Sequence, residues 1–168
     1  MSHATVPAPA VHTCIIVDVV IAGAPARALV DTGANVSFMS DDFVKSVGIA
    51  CDTRNAHSAS LADGTSVGIT GCTPKLSVKL SSVLSKHKFL VLPNLDGMDV
   101  VLGMDYLAAN DATVHPRKLT VSLPSAKGTI VVKAAPQQPM FPHMSTTHVD
   151  VVSGAKLARI IRHETKEN

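Results

Sequence analysis

Tryptophan is absent from this chain, and Phe, Trp and Tyr together make up only 3% of it. So few rings argue against the stacking platforms that bind single-stranded nucleic acid. Charge of one sign is also lacking: 15 Lys and Arg against 13 Asp and Glu leave a net +2, no footprint for nucleic acid. Cysteine occurs three times, at Cys14, Cys51 and Cys72, odd in number and far apart. That pattern fits neither a disulfide framework nor a zinc knuckle, so the three read as reduced, partly buried thiols of an intracellular protein. The 8 His are scattered, and His143 and His148 have poor helical spacing for a shared metal. No metal or other cofactor is expected. Long apolar runs are missing too, as is the basic start and apolar core of a secretory signal. The expected setting is cytoplasmic, without membrane contact, and Asn35-Val36-Ser37 matches the glycosylation pattern only by coincidence.

What the chain does have is aliphatic bulk. Its 168 residues are 46% hydrophobic with mean hydropathy +0.26, enough for one well-buried domain with tails. Val and Ile are prominent among them, and β-branched residues favour strands. Residues 1–11 read as a flexible lead-in, 12–135 as the folded domain, and 136–168 as a Pro-rich linker with a possible helix over 153–168. Within the domain, CIIVDVVIA (14–22) and ARALV (26–30) predict two strands of a hairpin around Gly23-Ala24-Pro25. Ser40-Asp41-Asp42 predicts the cap of a short helix over 41–47 that ends near Gly48. SASLADGTSVGITG (58–71) predicts a hairpin turning at Asp63-Gly64. Further strands are expected at 75–80, 88–92, 98–102, 119–123 and 129–133, with a turn over Pro124–Gly128.

One stretch does not fit a plain strand. ALVDTGANVSFMS (28–40) runs an apolar strand straight into an acid, a hydroxyl and a glycine. A carboxylate in an apolar setting is costly unless it has a partner. About 70 residues later MDVVLGMDYLAAN (98–110) repeats the grammar: an apolar strand, a glycine, then a helix from about Asp105, which is expected to cap it. His115 is expected in a solvated basic turn with Pro116 and Arg117.

VDTGA (30–34), the hairpin about 30 residues on, and VVLGMDYL (100–107), in this order and spacing, resemble the retropepsin-like aspartic proteases, and most nearly the gypsy-type LTR retrotransposon members. DVVLGMDYLAANDATVHPRKLTVSL (99–123) follows their second motif, with Tyr106 in place of the usual Trp, and VSGAKLARIIR resembles the junction toward a downstream reverse transcriptase. Retroviral members carry an acid after DTGA and an Arg after the second motif's Gly; here those positions are Asn35 and Met104.

The resemblance implies an all-β fold, the acid-protease barrel with one short helix and one lobe per chain, active as a C2 homodimer. It implies an aspartic endopeptidase that matures a Gag-Pol polyprotein, its own polypeptide being the substrate, in a cytoplasmic or virus-like-particle context. Asp31 would be catalytic, with Thr32 and Gly33 supporting the site. Ala34, Asn35 and the flap residues Ala62, Asp63, Gly64 and Thr65 would contact substrate. Two alternatives share the fold: a cellular protease of the DNA-damage-inducible type, and a catalytically silent dimerisation module.

Overall fold

The first hairpin shows how local sequence sets the frame. Strands β1 (Ile15–Ile21) and β2 (Ala24–Val30) pair antiparallel from Ile15↔Val30 to Ile21↔Ala24. Their loop is Ala22-Gly23, both at positive φ (50° and 87°), the twist that two-residue hairpin loops favour. The turn therefore falls one residue earlier than the expected Gly23-Ala24-Pro25, and Pro25 lies inside β2. A proline is tolerated there because the strand on the other side of β2 pairs only with Ala28, Leu29 and Val30.

In this computed structural model, residues 14–54, 58–60 and 66–135 are described. All belong to one compact unit. The predicted lead-in 1–11, the linker and helix of 136–168 and the Asp63-Gly64 turn lie outside the described residues.

After β2 come β3 (Phe38–Ser40) and α1 (Asp41–Val47). The helix starts as expected, with the Ser40 hydroxyl accepting from Phe43 N, and stops at Gly48, whose φ of 73° suits glycine. The short strands β4 (Ser58–Ser60) and β5 (Ser66–Gly68) pair antiparallel as the arms of the predicted hairpin. Then follow β6 (Gly71–Cys72), β7 (Leu76–Leu80), β8 (Val83–His87), β9 (Leu90–Leu92), β10 (Val100–Leu102) and α2 (Met104–Ala109). A three-stranded sheet closes the described chain: β11 (Thr113–His115), a 3-10 turn over Pro116–Lys118, β12 (Thr120–Ser125) and β13 (Gly128–Lys133). His115 is thus a half-buried strand residue just before the basic turn. The Pro124–Gly128 turn is tighter than expected, since Pro124 and Ser125 still pair with Thr129 and Gly128.

The large sheet has eight strands in the order β6-β9-β3-β10-β2-β1-β7-β8, curled into a half-barrel. Its core face follows strand alternation: Val17, Val19 and Ile21 on β1, Ala26, Ala28 and Val30 on β2, Val78 and Leu80 on β7. Met39, Phe89, Val100, Leu102 and Tyr106 are among the residues that pack with it. Full burial of the Val, Leu, Ile, Phe and Met side chains among these contributes about 1.5–3 kcal/mol each.

Near the middle of the sheet the order departs from a simple meander. β10 runs parallel to β2 (Leu102↔Val30) and antiparallel to β3 (Val101↔Phe38), so it lies between two strands that are close in sequence. The chain leaving β10 must then cross the loop that joins β2 to β3. At that crossing a Cβ on Gly103 would lie 2.5 Å from the Val36 carbonyl oxygen and 2.8 Å from that of Ala34. Both obstacles are backbone, so neither can rotate away. Gly103→Ala should therefore lower the unfolding free energy by about 1–3 kcal/mol or more. Gly68→Ala, which meets nothing within 4 Å, should stay within about 0.5 kcal/mol of wild type. Urea titration of the two variants checks the contrast.

Candidate active site

Asp31 follows the last residue of β2, and its amide donates to the Leu102 carbonyl at 3.0 Å, extending the parallel ladder by one step. This bond fixes where the acid leaves the sheet. The chain then turns, with Ala34 N donating to Asp31 O at 3.3 Å. The half-buried Asp31 carboxylate accepts from Gly33 N at 2.8 Å. A Cβ on Gly33 would sit 3.2 Å from that same Oδ1, so the glycine leaves the carboxylate room. Thr32, Gly33 and Asn35 are exposed, and Ala34 is half-buried.

The second motif holds this loop from behind. Met104 N donates to Ala34 O at 2.8 Å and Asp105 N to Asn35 O at 3.2 Å. Gly103 N donates to the hydroxyl of Ser37, a residue only 1% exposed, and that hydroxyl donates to Asp105 Oδ1 at 2.6 Å. The same Oδ1 accepts from Tyr106 N at 2.7 Å, while Oδ2 lies 3.2 Å from His87 Nε2 of β8. His87 is wedged edge-on against the rings of Phe89 and Tyr106.

The structure thus brings Asp31, Thr32, Gly33, Ala34 and Asn35 into one loop at the end of β2. Ala62, Asp63, Gly64 and Thr65 lie outside the described residues. Asp105 is corrected. Its helix begins at Met104, so Asp105 lies inside the first turn, and Gly103 is a cap that makes no side-chain bond. The Asp105 carboxylate instead joins Ser37 and His87, which are 68 and 18 residues away in sequence. Ser37 and His87 were not singled out from sequence, because no local pattern marks a hydroxyl and an imidazole that meet only through a third residue.

Partial burial pushes the Asp105 carboxyl up, but the bonds from Ser37 and the Tyr106 amide, with the neighbouring His87, outweigh it and hold the group below the ordinary aspartate range. Among the described residues no group of three or more His, Cys, Asp or Glu could hold a metal ion. All three cysteines are half-buried, and burial pushes the Cys51 thiol up. A depression of about 470 Å³, lined by Asp18, Arg27, Lys79 and Asp99 among others, does not include Asp31. Among the described residues no helix is long and apolar enough to cross a membrane.

A half-barrel that delivers Asp-Thr-Gly from β2, braced by an apolar strand and glycine from β10, defines a retropepsin-like aspartic protease fold. The chain belongs to the family described as "gag-polyprotein putative aspartyl protease", whose match spans residues 17–109, from β1 to the end of α2. Among solved structures it is similar to the retroviral protease-like domain of Ddi1 from Leishmania major, with TM-score 0.60 and 22% identity over 77% of this chain and 96% of that one. It is also similar to EIAV protease in complex with the inhibitor HBY-793, with TM-score 0.50 and 20% identity over 66% of this chain and 99% of that one. At these identities the likeness concerns the fold. No curated protein matches the chain.

The lowered Asp105 carboxyl gives a signed pH dependence. A group whose pKa is depressed by folding contributes stability that is present above its unfolded-state pKa and lost as pH falls through the folded-state value. Wild-type stability should decline on acidification through the window just below the ordinary aspartate pKa, and Asp105→Asn should flatten that part of the curve. Thermal unfolding followed across that range in both proteins checks it.

Proposed function

We propose that this chain is an aspartic endopeptidase whose reacting groups are two Asp31 carboxylates, one from each copy of a C2 homodimer. The observation that carries the reading is Asp31 itself: half-buried at the end of β2, hydrogen-bonded to Gly33 N, beside exposed Thr32 and Gly33. Hydrolysis by this route needs two carboxylates that share one proton. One takes a proton from the attacking water while the other donates to the carbonyl oxygen. The two apparent pKa values then belong to the pair jointly. Asp-Thr-Gly occurs once in the chain, and Asp105 has both oxygens engaged with Ser37, Tyr106 N and His87, so the second acid comes from the second copy.

In this reading the Thr32 hydroxyl bonds across the dimer axis and steadies both acids. Gly33 lets the substrate backbone approach. Ala34, Asn35 and the flap residues Ala62, Asp63, Gly64 and Thr65 contact the peptide, and closure of the flap excludes water from the dyad. The domain spans 12–135, flanked by an N-terminal segment and a linker toward a downstream polyprotein region. The substrate is that polyprotein, of the retrotransposon Gag-Pol kind, a context supported by the gag-polyprotein family match. The similarity to the Ddi1 domain favours a second context, a protease of the DNA-damage-inducible type. The adjoining reading frame separates them: a capsid upstream and a reverse transcriptase downstream support the first.

Asp31→Asn removes both carboxylates at once and should abolish cleavage of a peptide spanning the native junctions while preserving the fold. Full cleavage by that variant would rule out the mechanism, and a folded but inert wild type would favour the silent module. Wild-type turnover should peak at acid to mildly acid pH, where the pair holds one proton.

A site built from two chains also depends on concentration. Specific activity should fall as the protein is diluted through its dimer dissociation constant, and bound peptide should favour the dimer. Thr32→Ala should loosen the dimer further, each lost hydrogen bond being worth about 1 kcal/mol. Activity titration paired with sedimentation tests this; constant specific activity from a species that stays monomeric with substrate bound would sink the shared site.

A further inference from the structure

Ser37 ends the loop that begins at Asp31, and its hydroxyl is used twice: it accepts from Gly103 N at 3.0 Å and donates to Asp105 Oδ1 at 2.6 Å. Its carbonyl also accepts from Leu90 N at 3.1 Å. The far end of the loop is therefore tied to β9, to the Gly103 crossing and to a carboxylate. Each of the other ties from the second motif to this loop, Asp31 N to Leu102 O, Met104 N to Ala34 O and Asp105 N to Asn35 O, is a backbone bond. Asp105 alone among the described residues of that motif reaches the loop with a side chain. Its other oxygen faces His87, which is held between Phe89 and Tyr106 with its side chain 12% exposed.

We propose that Asp105 is the positioning residue of the Asp31 loop, a clasp between Ser37 and His87 that sets where the reacting carboxylate stands. This rests on the proteolytic reading above. The argument is geometric. One short bond from a buried hydroxyl fixes the loop's exit, one ladder bond from Asp31 N fixes its entry, and the five residues between are constrained from both ends. With the clasp cut, the Ser37 hydroxyl can turn and the exit end gains freedom, while the eight-stranded sheet keeps its ladders. A carboxylate suits the task better than a neutral group: one oxygen collects two donors while the other remains for the imidazole. Asp105 touches no reacting atom in this scheme; it acts through Ser37.

The test uses the full chain with three substitutions. Asp105→Ala removes the clasp, Ser37→Ala cuts it from the loop side, and Asp105→Asn keeps one acceptor oxygen for Ser37 and Tyr106 N. Turnover is normalised to sites titrated with a tight-binding hydroxyl-bearing transition-state isostere, so that partial unfolding lowers the number of sites but not the rate per site. Asp105→Ala and Ser37→Ala should lower kcat per site at least tenfold with KM within about threefold of wild type, and Asp105→Asn should recover most of the loss. In parallel, hydrogen exchange at the Asp31, Ala34 and Met104 amides should accelerate in both Ala variants, with the β1 amides of Val17 and Val19 unchanged. Wild-type kcat per site in a folded Ala variant, or loop exchange no faster than wild type, would overturn the proposal. Should Asp105→Ala not fold, Ser37→Ala decides. Should wild type cleave no peptide, the proteolytic reading falls, and the exchange experiment still decides whether Asp105 positions the loop.

Discussion

At Gly103 the backbone leaving β10 passes against the loop that follows β2, close enough that a Cβ there would lie 2.5 Å from a carbonyl oxygen. The crossing lets β10 lie between β2 and β3, and that placement puts the Leu102 carbonyl where Asp31 N can bond it. It also brings Gly103 N to Ser37 and Met104 N to Ala34 O. The loop carrying the acid is therefore shaped by a strand some seventy residues further along the chain. Its geometry depends on bonds made by the assembled sheet.

This dependence explains what could be read from the sequence and what could not. β1, β2, β7 and α1 carry strong local signals: alternation, a serine cap, a terminal glycine, and all four appear where expected. β3, β6 and β11 are two or three residues long, shorter than any periodic pattern needs. β8 was missed for a different reason. It is an edge strand whose VLSKH alternates with exposed Leu84, Lys86 and half-buried His87, so it lacks a clean apolar face. The turn before it carries no glycine or asparagine either; Ser81 takes the positive φ of 55° itself.

The site divides along the same line. Asp31, Thr32 and Gly33 are contiguous, and their motif was visible at once. The partners of Asp105 were not, because a helix-starting acid looks the same in sequence whether it caps its own helix or reaches across the fold. Capping preference is a sound prior for an acid at that position. It lost here because the Gly103 crossing places Ser37 within 2.6 Å, and a short bond to a buried hydroxyl outweighs a cap exposed to water.

The same geometry bears on the positions held here by Asn35 and Met104, where an acid and an Arg could otherwise pair. An exposed pair is worth about 0.2–1 kcal/mol, no more than one net hydrogen bond. Here both segments are already joined by Met104 N to Ala34 O and Asp105 N to Asn35 O, and Ser37 adds a charge-assisted bond at 2.6 Å. Hydrogen bonds to charged groups contribute about 1.5–3 kcal/mol, so the Ser37–Asp105 contact alone outweighs an exposed pair. It also lies closer to the sheet, where salt screens it less. Asn35 and Met104 therefore need not pair to hold the loop, and both side chains are exposed.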